Sequence, residues 1–571
     1  MYVSCSSTGA KFGIQELYLE PAPLLPPRAS RIPPICTTLF RTGETMTKLL
    51  GRISLLFLAL YFAFPLVAAE MPRLVKKDGR YALFVDGQPF LILGAQINNS
   101  SAWPAVLPQV WPAIEDMHAN TVEAPIYWEQ LEPQRDRFDF SVTDELVKQA
   151  RAHHVYLVLL WFGTWKNGKI HYIPEWMKTD PVQYPRVIND RGERIEVLSP
   201  YSDANLEADK KAFAALMQHL KQVDGNEHTV ILVQVENESG ILHSVRDFSP
   251  AAEKSFQGPV PDDLVKALHR HAGTWKEVFG ADADETFSAY SVAHYINQVA
   301  VAGKAEFPLP MYVNNWLKYR PNALPGVEYP SGGPTYNMLD VWKATAPAID
   351  MIGPDIYNDD SDFYREVVGQ FHRPDNPTWI PETGLEDSYA KFFFYALGQG
   401  AIGFSPFGVD YTGWTIQDQK PPALHAENYA LIAPMDREIA QLNFAGALKT
   451  AVEEEGATRE SLDFGKWQAT VSFGFRQFGG DGKPPGTKDH RGRALIAQLG
   501  PDEFLVTGID ARVEFQVSSK ETGHAQILRA EEGRYENDNW KFLRLWNGDE
   551  TDFGLNFTHQ NKVVHVKLGT Y

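Results

Sequence analysis

The chain has 571 residues, 44% of them hydrophobic, which is too long for one compact domain and enough for a large core plus a smaller module. Acidic residues outnumber basic ones 72 to 53, for a formal charge of −19, and Lys and Arg form no stripe of the kind a nucleic-acid binder needs. The two cysteines, Cys5 and Cys36, fall upstream of the expected mature start, which excludes a disulfide, a thiolate nucleophile and a Cys-ligated metal from the mature protein.

Residues 46–69 read as a secretory signal. Lys48 and Arg52 form a basic segment, 53–64 an apolar run, Pro65 a break, and Val67-Ala68-Ala69 a small-residue cleavage site. The pattern begins at Met46, so translation is expected to start there, with residues 1–45 a non-native extension of Pro-rich, patternless composition. The apolar run is short for a membrane span, and no stable span is expected after cleavage. The expected location is a bacterial periplasm or the exterior.

Eight apolar runs then alternate with helical patterns, at 90–94, 121–125, 155–160, 230–235, 311–313, 349–353, 378–380 and 401–404. Between the second and third, Ser141-Val142-Thr143-Asp144 has the spacing of a capping box at a helix start. Near-continuous apolar strands separated by helices predict a parallel sheet buried on both faces, and eight units favour a (β/α)8 barrel over an open sheet. No Gly-rich phosphate loop follows the first strand. The barrel is expected to span residues 70–455 and to close with a helix near 436–448. From 456 to 571 short alternating runs, at 470–475, 494–497, 503–507, 513–517 and 563–566, predict a β-sandwich.

The chemistry is expected where strands end. Residues 233–240 read Val-Gln-Val-Glu-Asn-Glu-Ser-Gly, and 378–384 read Thr-Trp-Ile-Pro-Glu-Thr-Gly. Each puts a glutamate after an apolar strand. Burial obliges such a carboxylate to be paired or to shift its pKa. With 72 acidic residues, a cluster of solvated acids also arises by chance. Strands four and seven face each other across a closed barrel, so Glu238 and Glu382 can flank one bond. Retaining glycoside hydrolysis needs two carboxyl groups about 5–5.5 Å apart, one to protonate the leaving oxygen and one to attack the anomeric carbon.

The 233–240 block resembles the V-Q-I-E-N-E-Y-G segment of glycoside hydrolase family 35 β-galactosidases. Trp128-Glu129-Gln130-Leu131-Glu132-Pro133, with Phe138-Asp139-Phe140, resembles an element after strand two in families 35 and 42. Residues 84–90 resemble the family 35 opening, a short strand pair before the barrel. The resemblance covers about residues 72–440. It implies a retaining exo-acting β-galactosidase with Glu238 as acid/base, Glu382 as nucleophile and Asn237 as donor to the sugar 2-hydroxyl. Ser239 stands where the family has Tyr, and the residues after Glu382 depart from the family context, so a divergent branch is implied.

Tyr357, after strand six, is a candidate to hydrogen-bond the nucleophile. Gln96, Asn98, Asn314 and Asn315 are candidates for sugar hydroxyls, and Glu236 for substrate or its neighbours. Trp128 belongs to the resembling element, and Trp161, Trp165, Trp316 and Trp414 are candidates to stack on sugar rings. Long insertions at 161–204 and 239–260 are expected to wall the site. The partner is an oligo- or polysaccharide. No cofactor and no metal are expected, since His153-His154 and His269/His271 have the wrong spacing for one helix face. The competing readings are another clan A β-glycosidase or endo-glycanase, and a non-catalytic carbohydrate-binding barrel.

Overall fold

The computed structural model describes residues 70–412, 422–474, 484–536, 539–557 and 562–571. The processing segment, both cysteines and Trp414 lie outside the described residues. No helix among the described residues is long and apolar enough to cross a membrane.

The described chain opens with a three-stranded antiparallel sheet, Arg73–Lys77, Arg80–Val85 and Gln88–Phe90, one strand more than the expected pair. Its two turns are Asp78-Gly79 and Asp86-Gly87. All four residues have positive φ, the conformation that matches a two-residue hairpin to strand twist. Leu83, Val85 and Phe90 of this sheet are buried with Ile92, Val158, Leu160, Ile231 and Trp379. One apolar cluster thus joins the small sheet to strands of the barrel.

Eight parallel strands follow: β1 (Ile92–Gln96), β2 (Thr121–Tyr127), β3 (Tyr156–Lys166), β4 (Val230–Asn237), β5 (Met311–Trp316), β6 (Met351–Ile356), β7 (Ile380–Thr383) and β8 (Gly403–Pro406). They close as β5-β6-β7-β8-β1-β2-β3-β4, a TIM barrel with every expected strand in place. Each strand is an apolar run because helices cover its outer face and side chains fill its inner one. Burying one such Val, Leu or Ile contributes about 1.5–3 kcal/mol.

The helix after β2 spans Ser141–Ala152, as its apolar spacing predicts, but the capping box does not form. Ser141 is already inside the helix and its backbone N–H donates to Asp139 Oδ1 (2.9 Å). Asp139 thus accepts the Ser141 N–H that Asp144, at the other end of the expected box, would have taken.

The closing helix ends at Phe444, and the chain enters the second region at β9 (Leu448–Val452), before residue 456. Its other strands are β10 (Arg459–Phe464), β11 (Trp467–Phe473), β12 (Arg493–Gly500), β13 (Glu503–Ile509), β14 (Ala511–Val517), β15 (Ala525–Glu536), β16 (Asn539–Trp546), β17 (Leu555–Phe557) and β18 (Lys562–Thr570). They form a six-stranded sheet, β9-β12-β13-β18-β15-β16, and a four-stranded sheet, β10-β11-β14-β17. Ile496, Val506 and Val564 of the first and Trp467, Val471 and Val513 of the second share one apolar cluster, the inside of a sandwich.

Candidate active site

β4 does not end as a regular strand. Glu236 has φ 66° and Glu238 φ 42°, both in the left-handed region that glutamate rarely occupies. Two such residues break the alternation of faces and re-aim the side chains that follow. Strain of this kind costs about 1–3 kcal/mol per residue and persists where the surroundings enforce it. Asn314 on β5 supplies part of that enforcement: its Oδ1 accepts the Glu238 backbone N–H at 2.8 Å.

Glu238 from β4 and Glu382 from β7 line one cavity of about 1200 Å³, above the roughly 300–1,000 Å³ of ordinary ligand pockets. Both are less than a tenth exposed, at 8% and 7%. Burial pushes the Glu238 carboxyl up to about 7, and the nearby Glu382 charge adds to the effect. Lys166, at the end of β3, acts in the opposite direction from the same cavity.

Glu382 is gripped by two donors. Gln96 Nε2 donates to its Oε2 (2.8 Å) and the Tyr357 hydroxyl to its Oε1 (2.5 Å). These bonds fix the carboxylate plane and leave a carboxyl that lines the cavity. Tyr357 also lines the cavity, whereas Gln96 is 2% exposed and holds the carboxylate from behind.

Several candidates sit elsewhere. Asn237 is fully buried between Gln234, Asn314 and Lys166, whose Nζ is 3.0 Å from its carboxamide. Glu236 is buried below the cavity: Trp165 N–H donates to its Oε2 (2.6 Å), and its carboxyl hydrogen-bonds Asp209. Trp161 is fully buried and donates its indole N–H to Asp209 Oδ1 (3.0 Å). Trp128, also fully buried, opens the short helix Trp128–Leu131 and donates to Glu132 Oε2 (2.9 Å), a packing role. Trp165 is equally buried. Asn315 does not line the cavity, and its neighbour Asn314 makes the contacts described above. Of the tryptophan candidates among the described residues, Trp316 alone lines the cavity.

Sequence reasoning passed over Asp355, Lys166, Tyr172 and Tyr319, all of which line the cavity. Asp355 had a visible signal: a carboxylate inside the apolar run of β6. It pairs in register with Glu382 on β7 and with Trp316 on β5. The first insertion contributes Lys166, Asn167 and Tyr172 to the wall, and the second contributes nothing to it. Asn98, from the loop after β1, lines the cavity and is anchored by Asp410 after β8, whose Oδ2 accepts both its backbone N–H (2.6 Å) and its Nδ2 (3.0 Å).

Strand order and site together define a TIM barrel with two opposed glutamates at the ends of strands four and seven. Residues 103–290 match the family model described as beta-galactosidase, glycoside hydrolase family 42. The matching model is that of family 42 rather than family 35. Residues 425–558 match a domain of unknown function, DUF5597, which begins before the sandwich and takes in the helix Ala423–Ile432 almost whole.

A beta-galactosidase of Xanthomonas manihotis is 30% identical over 190 residues, 32% of this chain and 30% of that protein. Beta-galactosidase 14 of Arabidopsis thaliana is 25% identical over 175 residues, 29% of this chain and 18% of that one. The chain thus matches less than a third of the length of either relative. The solved beta-galactosidase of Bacillus circulans sp. alkalophilus superposes with a TM-score of 0.46 at 14% identity, covering 61% of this chain and 57% of that one.

Proposed function

We propose that the chain is a retaining, exo-acting glycoside hydrolase that releases terminal β-D-galactosyl groups from oligo- or polysaccharides. The observation that carries this reading is the asymmetry of the two glutamates in one cavity. Glu382 is held by two donors, which suits a carboxylate that must attack along a fixed line. Glu238, pushed up to about 7, keeps a proton to give. In the first step the Glu238 proton goes to the leaving oxygen while Glu382 bonds to the anomeric carbon. In the second, Glu238 takes a proton from water, whose oxygen displaces Glu382. The Asn-Glu block that suggested family 35 supports the same chemistry as the family 42 match.

The purified protein is assayed on a panel of nitrophenyl β-glycosides, with the anomer of the first product read by NMR. The β-galactoside is expected to be cleaved best, with the β-anomer formed first. Glu382→Gln is expected to lose about 10³-fold or more on the panel, and Glu238→Gln a similar factor on an alkyl β-galactoside assayed beside it, whose leaving group needs a proton. A preference for another glycoside overturns the galactoside assignment, and variants that keep the wild-type rate overturn both glutamate roles.

Export belongs to the same proposal: residues 46–69 direct secretion and cleavage leaves Glu70 as the mature N-terminus. N-terminal sequencing of the protein recovered from the periplasm or medium checks this.

A further inference from the structure

Two glutamates suffice for double displacement, yet the cavity holds a third buried carboxyl besides the exposed Glu386. Asp355 is 1% exposed, stands beside Glu382 in strand register and lines the same cavity as Glu238. Its Oδ2 accepts from Asn314 Nδ2 at 2.7 Å. Asn314 therefore ties the Glu238 backbone to the Asp355 side chain through the two ends of one carboxamide. That leaves Asp355 Oδ1, which is buried and receives no hydrogen from any N–H or hydroxyl group. The Glu238 carboxyl stands within hydrogen-bonding reach of the Asp355 side chain, in the same cavity. Two carboxyl oxygens can hydrogen-bond only through a proton on one of them.

We propose that Asp355 is kept as a neutral acid whose O–H points at the Glu238 carboxyl, making it a positioning residue that stabilises the charge Glu238 acquires on giving up its proton. The inference rests on the acid/base role proposed for Glu238. The surroundings favour the neutral form. Burial drives the Asp355 carboxyl well above the ordinary range, the Glu382 charge reinforces it, and the Glu238 charge adds to it once formed. Lys166 is the cation that opposes them, while Tyr312, Tyr319 and Tyr357 face the group as neutral phenols.

The proton balance is simple. Before reaction Glu238 and Asp355 each carry one proton and Glu382 is ionised. Glu238 passes its proton to the leaving oxygen as the Glu382 charge is consumed in the glycosyl ester. The single negative charge moves from Glu382 to Glu238, and there it meets the Asp355 O–H in place of water. Without that donor the new carboxylate forms in a cavity already crowded with acids. A donor aimed at a developing charge is worth about 10²–10³-fold in rate where it has been removed elsewhere.

The test compares Asp355→Asn and Asp355→Ala with wild type, on a nitrophenyl and an alkyl glycoside, across pH. The carboxamide introduced by Asp355→Asn can donate to Glu238 and accept from Asn314, so this variant is expected to keep the basic limb of kcat/KM in place. The Ala variant removes the donor: its basic limb moves to higher pH, and it loses about 10²-fold on the alkyl glycoside but much less on the nitrophenyl one, which needs little protonation. A basic limb that moves to lower pH in Asp355→Asn means that Asp355 is ionised in the wild type and overturns the proposal. So does an unmoved limb in the Ala variant. A second readout needs no turnover: buried Glu123 and the Glu236–Asp209 pair also contribute neutral-acid bands, so the infrared difference spectrum of wild type minus Asp355→Asn above neutral pH is read, and it should show one neutral carboxylic-acid carbonyl band lost; no loss overturns the proposal. Activity lost only in Glu238 and Glu382 variants leaves the proposed function standing while this inference falls.

Discussion

The mouth of the barrel and the seam between barrel and sandwich both bury charge, and they do so in opposite ways. At the seam, charges are matched. Arg493 on β12 is fully buried, and its guanidinium donates to Asn428 Oδ1 (2.7 Å), Arg491 O (2.6 Å) and Glu427 Oε2 (3.2 Å). Burial draws its pKa down to about 10, so it stays a cation. Glu454, just after β9, accepts from Arg365 (2.6 Å) and Lys391 (3.0 Å) on two barrel helices. At the mouth, Glu238, Asp355 and Glu382 share one cavity with Lys166. A matched buried charge holds two layers together, whereas a mismatched one stores a shifted proton affinity, which a reaction can use.

The largest effect on stability should come from breaking the match. Arg493→Ala leaves Glu427 and Asn428 without their partner and is expected to cost about 3–5 kcal/mol, read as a lowered denaturant midpoint. The protein that remains folded should keep its kcat, because the seam is outside the cavity.

Relieving the mismatch should have the reverse consequence. The folded-state pKa of Glu238, about 7, lies above the ordinary 4.5, so folding penalises its charged form. That penalty is absent below about 4.5 and grows as pH rises to about 7. Glu238→Gln is therefore expected to be more stable than wild type at pH 8 by on the order of 1–3 kcal/mol, with the gap closing in acid, by thermal unfolding at both pH values. The same group sets the rate: kcat/KM of the wild type is expected to fall as pH rises through about 7. The smallest effect is expected from Tyr357→Phe. Losing one of the two donors on Glu382 should lower kcat about tenfold with little change in stability, by steady-state kinetics.

All eight barrel strands were legible because each is a separate apolar run buried on both faces, a signal that survives in sequence. The sandwich was half legible. β15 and β16 were missed because their apolar residues do not mark a buried face: on β16 Phe542, Leu543 and Leu545 all face solvent, and on β15 polar residues fill most positions. At the site, strand-end position identified Glu238, Glu382 and Tyr357, all cavity-lining. It did not separate Asn314 from Asn315, since one position along a strand reverses the face and the sequence does not print the phase. Trp128 and Trp161 show the same limit, because an aromatic near a strand end serves a core as readily as a cleft.

The supports of Glu382, the proposed nucleophile, are spread over the whole length of the ring. Gln96, near the beginning of the described chain, grips Glu382, and Asn98 beside it is fastened to Asp410, more than three hundred positions later. During synthesis the earliest strand must wait for the last before the reactive carboxylate is held in place. A nascent or truncated barrel lacking β8 would carry both glutamates and still have an unassembled centre. On the proposed function, activity would report that the ring has closed, and a chain exported as proposed, folding after it crosses a membrane, would stay inert until it arrives.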